Sequence, residues 1–143
     1  ENEMYAHLNV NYLQLEKLPG YKEGWQPVLD VLENGRFFST TGEVLLPAFS
    51  INKKTSGDTL RLDRTGIAEL SFTVNWTFPL NFALLVTGDG NKVFKEKIDL
   101  RYTHSFGAQT FRQKVNLAGR KWARLEVWDA AVNGAFTQTI WLQ

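Results

Sequence analysis

Nine consecutive residues, Ala68-Glu69-Leu70-Ser71-Phe72-Thr73-Val74-Asn75-Trp76, alternate apolar and polar without a break. Successive side chains of a β-strand point to opposite faces. The spacing therefore predicts a half-buried strand with Ala68, Leu70, Phe72, Val74 and Trp76 on its inner side. Weaker alternations occupy residues 44–51, 60–62, 82–86, 92–100, 110–117, 122–128 and 135–142. Ser56-Gly57-Asp58, Gly88-Asp89-Gly90-Asn91, Ala118-Gly119 and Asn133-Gly134 stand between them and supply the residues that tight turns require. Short strands at such spacing argue for a sandwich or barrel. The fold expected is all-β: an immunoglobulin-like antiparallel β-sandwich with one short amphipathic helix near the N-terminus.

That helix is the exception to the strand pattern. Trp25, Val28, Leu29 and Leu32 recur at i, i+3, i+4 and i+7, the apolar stripe of a helix within residues 24–34. Pro27 is tolerated only near its first turn, and Gly35 stands where it should stop. A strand-like segment at residues 6–13 precedes it. The organisation expected is one compact unit, in which a strand-plus-helix segment (1–43) packs on a β-sandwich (44–143).

Composition removes several functions. Sixteen Lys and Arg against fifteen Asp and Glu, spread along the chain, build no basic stripe, so no nucleic-acid partner is expected. The absence of cysteine removes thiol nucleophiles, disulfides and Cys-based metal centres. No apolar run approaches the ~20 residues of a membrane span, so no membrane insertion is expected. The chain begins with Glu1 rather than Met, which suggests a processed product or a piece of something longer. A periplasmic or extracellular location is the expectation.

Catalytic raw material is thin. His7 and His104 lie far apart and have no ligand-type spacing with each other, whereas a catalytic metal needs about three ligands held close together. No serine sits in a G-x-S-x-G elbow, and His104 and Ser105 as strand neighbours would face opposite ways. Glu69, Glu126 and Asp129 are available carboxylates that nothing singles out. Gly88-Asp89-Gly90-Asn91 lacks the spaced carboxylates of a calcium loop and reads as a hairpin turn. The sequon Asn75-Trp76-Thr77 lies within the strongest strand. No catalytic residue, metal or cofactor is expected.

The tryptophans carry more information. Ala123, Leu125 and Val127 take the apolar parity of their strand, which leaves Trp122, Arg124, Glu126 and Trp128 on the other face. A two-residue turn at Asn133-Gly134 would pair residue 128 with 139 and 126 with 141. Thr137, Thr139 and Trp141 would then join the same outer face, with Trp128 and Trp141 as diagonal neighbours beside Arg124 and Glu126. Such a face would be either a glycan- or partner-binding platform or the surface that the Trp25/Val28/Leu29/Leu32 helix covers, and the cover is the favoured reading.

Two stretches also form a recognisable order. One is Trp25-x-x-Val28-Leu29-x-x-Leu32-x-x-Gly35-Arg36-Phe37-Phe38-Ser39-Thr40-Thr41-Gly42-Glu43. The other is Trp122-Ala123-Arg124-Leu125-Glu126-Val127-Trp128-Asp129, followed by Gly134-Ala135-Phe136-Thr137-Gln138-Thr139-Ile140-Trp141-Leu142. Together they resemble the C-terminal portion of PHP-type (polymerase and histidinol phosphatase) metal-dependent phosphoesterases, in particular the carbaryl-hydrolase-like branch. The resemblance departs at Gln138-Thr139, where that family commonly has Asn-Pro. It implies a β-sandwich that follows a catalytic domain. The family's His- and Asp-rich metal motifs lie upstream of the helix, and this chain has none. The function expected is a non-catalytic accessory domain, partnered by an adjacent catalytic domain or another protein. The alternative is a carbohydrate-binding module that uses its tryptophans.

Overall fold

The computed structural model describes residues 9–143. His7 and the start of the expected first strand lie outside them. The alternating segment forms β5 (Ile67–Trp76), and its predicted inner residues are all buried. Its neighbours are β3 (Val44–Ile51) and β8 (Gly107–Asn116), both antiparallel to it, and the three make the smaller sheet.

The larger sheet is centred on β9 (Trp122–Asp129). One side of β9 pairs with β6 (Leu80–Gly88), which continues to β7 (Val93–Asp99). On the other side, β10 (Gly134–Thr137) and β11 (Ile140–Leu142) follow β9 in turn. Beyond β10 come β2 (Phe37–Thr40) and then β1 (Val10–Leu13), while β4 (Thr59–Leu60) runs parallel to β11. The chain is thus an all-β sandwich of two sheets, antiparallel except for the β4–β11 pair. The expected segment 1–43 contributes β1 and β2 to the large sheet itself.

Residues of the predicted parity fill the space between the sheets. Leu70, Phe72 and Val74 of β5 and Ala123, Leu125 and Val127 of β9 are almost wholly excluded from water, as are Ala83 and Leu85 of β6. Phe72 stacks on Phe111 across the β5–β8 pair, with centroids 5.2 Å apart. The outer face of the small sheet is polar: Glu69 stands opposite Lys114, Ser71 opposite Arg112, and the Thr73 and Thr110 hydroxyls share a hydrogen bond of 2.8 Å.

The helix α1 (Gln26–Glu33) begins with Pro27 in its first turn. It ends in a Schellman motif. Gly35 takes a φ of +66° and donates to the Leu32 carbonyl, and Arg36 donates to that of Val31. The chain then enters β2 at once, which pins the end of α1 beside the sheet margin.

The β9–β10 connection corrects the expected two-residue turn. Gly134 stands opposite Trp128 and Phe136 opposite Glu126, a shift of five residues from the predicted pairing. The cause is Asp129, whose buried carboxylate organises a longer loop. Its Oδ1 accepts the N–H groups of Ala131 and Asn133, each at 2.8 Å, and its Oδ2 accepts the Asn133 amide at 3.0 Å. Val132, rather than Gly134, takes the positive φ. An odd shift exchanges the faces of a strand. Thr137 therefore turns inward, where its hydroxyl accepts the Leu125 N–H at 2.9 Å. Gln138 and Thr139 then form an irregularity that restores the parity, so that Ile140 is buried and Trp141 faces out. Asp129→Ala is expected to strand two loop N–H groups and cost roughly 2–4 kcal/mol, read as a lower urea midpoint.

Candidate functional site

The candidate surface residues divide into two places. Trp122, Arg124, Glu126 and Trp128 lie in a row on the outer face of β9, all half-buried. Trp141 is 53% exposed and stands opposite Trp122 on β11, at the far end of β9 from Trp128. The expected Trp128–Trp141 neighbourhood does not form, because the Asp129 loop moved the register. The loop also brings Phe136, rather than Trp141, opposite Glu126.

Each β9 tryptophan has a structural partner. Trp122 lies against Gly88 of β6, directly opposite it in register, so that an added Cβ at Gly88 would overlap the indole. Trp128 covers Gly134 in the same way; a Cβ there would come within 2.6 Å of the ring. A third such pair joins Trp76 to Gly107 on the small sheet. Aromatic cover of this kind shields the backbone that a glycine leaves open.

The polar residues between the two β9 indoles are also committed. Arg124 bonds Glu126 at 2.6 Å, with side chains 32% and 14% exposed, and its guanidinium lies 5.9 Å from the Phe136 ring centre. Glu126 also accepts the Trp128 indole N–H at 3.3 Å. The row is thus a self-covering layer, and Trp141 alone of the five residues offers an open ring.

The helix does not provide the expected cover. No residue of α1 is buried; Trp25 is 76% exposed and Leu29 52%. Val28 and Val31 are half-buried instead, on the side toward β1. Geometry explains the difference. The Schellman turn fixes α1 at the start of β2, and β10 separates β2 from β9, so the helix lies beyond the tryptophan row. The amphipathic stripe was legible in the sequence; the element it faces was not.

Two clefts adjoin the helix. One of about 480 Å³ lies between α1 and the segment after β1, lined by Leu15, Lys17, Pro19, Pro27, Val31 and Arg36 among others. A second, of about 400 Å³, is an open cleft bordered by the end of α1, Gly57, the Gln138–Thr139 irregularity and Trp141. Sequence reasoning missed the second because it placed Thr139 on a regular strand.

Among the described residues, no three of His, Asp and Glu gather where they could hold a metal ion. His104 is exposed, and its backbone carbonyl accepts the Trp76 indole N–H at 2.6 Å. Among the described residues, the carboxyls with perturbed protonation favour the charged form. The Arg101 guanidinium holds Asp99 far below the usual range, and the Lys92 and Asn91 N–H groups lower Asp89. Hydrogen bonds from the Thr65 hydroxyl and the Lys17 ammonium act likewise on Asp63 and Glu23. A carboxyl that transfers protons at neutral pH needs the opposite shift. No helix among the described residues is long and apolar enough to cross a membrane. No family model, curated protein or solved structure matches the chain.

Proposed function

We propose that this chain is a non-catalytic accessory domain that docks, through α1, on a metal-dependent phosphoesterase domain of the PHP type. The exposed stripe of the helix carries the reading. Leu29 and Leu32 project from a helix that also contacts β1, and the exposed Trp25 stands at its N-cap. A large exposed aromatic in line with two leucines is the surface expected of an interface core. The resemblance supports the same assignment, because in the resembled family the catalytic domain immediately precedes this helix. The glycan platform built on Trp128 and Trp141 together loses its support, since the two indoles lie at opposite ends of β9.

Two measurements test the reading. The isolated chain is expected to hydrolyse p-nitrophenyl phosphate no faster than buffer in the presence of Mn²⁺ or Zn²⁺. Turnover that survives repurification would overturn the non-catalytic assignment. For docking, Leu29→Ser in the isolated chain should change stability by less than about 0.5 kcal/mol, the usual range for a surface site. In a longer polypeptide with a PHP-type domain ahead of α1, the same substitution should lower the melting temperature. Trp25 should also become protected from iodide there. Equal quenching of Trp25 in both forms would sink the docking reading.

A further inference from the structure

We infer that the cleft between the end of α1 and the Gln138–Thr139 irregularity binds a neutral carbohydrate, with Trp141 as its stacking surface. This site is independent of the docking reading, although Leu32 borders both. Its volume of about 400 Å³ suits a small ligand, and its wall combines apolar Leu32, Phe37 and Trp141 with polar Glu33, Gln138 and Thr139. Among the described residues, Asn34 of that wall donates its side-chain amide to the Asp30 carbonyl at 2.7 Å, while the side chains of Glu33, Gln138 and Thr139 make no hydrogen bond within the chain. Hydrogen bonds engage the backbone carbonyls of Gln138 and Thr139, which accept from the Ser56 hydroxyl and the Gly57 N–H. They do not engage the Gln138 amide, the Thr139 hydroxyl, the Glu33 carboxylate or the Trp141 indole N–H. Gln138 and Thr139 are half-buried and line the cleft.

The chemistry of that wall selects the ligand. An open indole face packs against the C–H face of a sugar ring, and amide, hydroxyl and carboxylate groups can both donate to and accept from its hydroxyls. No Lys, Arg or His lines the cleft among the described residues, and Glu33 contributes a negative charge. A phosphorylated, sulfated or uronic ligand would be repelled there.

The whole chain would be titrated with maltotetraose, cellotetraose, xylotetraose and N,N′-diacetylchitobiose while tryptophan emission is followed. A saturable change is expected with at least one of the four. Trp141→Ala should weaken that binding at least about tenfold, and Gln138→Ala should weaken it in the same direction. Trp25→Ala, on the docking stripe, should leave it unchanged. The proposal is overturned by any of three results: no saturable response to any of the four sugars, binding that survives Trp141→Ala, or tighter binding of a sulfated oligosaccharide than of the neutral ones. Trp141 is more than half exposed, so its loss should leave the fold intact, which a near-UV spectrum dominated by the buried aromatics would verify.

Discussion

Phe72→Ala is expected to destabilise the domain by about 3–5 kcal/mol, the range for deleting a buried aromatic. Phe72 is 1% exposed and sits in the middle of the central strand of the small sheet, with Phe49 opposite on β3 and Phe111 opposite on β8. Alanine keeps the backbone ladder, so the loss comes from transfer energy and from the void left beneath the Phe111 ring. The strands on either side are held in register by their hydrogen bonds and cannot close that void fully. A domain of this kind has about 5–15 kcal/mol of total stability, so the effect is a large part of the whole. Thr73→Ala, one residue along but facing out, should cost less than about 1 kcal/mol for its partly exposed hydroxyl contact. Urea unfolding of the two variants separates the faces of β5; similar midpoints would mean that the predicted inner face is not the packed one.

Gly57→Ala should cost about 2–4 kcal/mol, although Gly57 is exposed and lies outside the hydrophobic core. Gly57 has a φ of +85°, and its N–H donates to the Thr139 carbonyl at 2.8 Å. An added Cβ would overlap the carbonyl oxygen of Asn34 at the end of α1. That neighbour is backbone in a closed Schellman turn, so it cannot swing aside as a side chain would. Gly119→Ala provides the control: its φ is +72°, but its missing side chain points into open space. There only the left-handed strain should appear, roughly 1–2 kcal/mol. Hydrogen exchange should locate the Gly57 effect at residues 34–36 and 139–141. An equal cost at the two glycines would show that the contact with Asn34 does not matter.

Much of the fold was legible because it rests on local periodicity. β5 follows from its alternation, β3 begins and ends where residues 44–51 placed it, and Ala123, Leu125 and Val127 are buried as their parity required. The end of α1 followed from Gly35. What failed was register, which depends on loop geometry. Asn133-Gly134 offered a familiar two-residue turn, yet the three hydrogen bonds of Asp129 fix a longer loop. That one carboxylate moved Thr137 into the core and separated Trp128 from Trp141. The two-residue irregularity at Gln138–Thr139 then returned Trp141 to the outside. Neither event leaves a periodic trace. The helix failed for a different reason: an apolar stripe states that a surface has to be covered, but does not name the surface.

The glycine–tryptophan pairs have a consequence for descent. At Gly88/Trp122, Gly107/Trp76 and Gly134/Trp128, one position has no side chain because the residue facing it has the largest. Neither member can drift alone. A side chain at the glycine evicts the indole, while a smaller residue at the tryptophan bares the backbone of the next strand. Each pair should therefore pass between lineages as a unit, replaced jointly or not at all. Three such linked pairs would identify distant kin of this sandwich even where the rest of the sequence has changed beyond alignment.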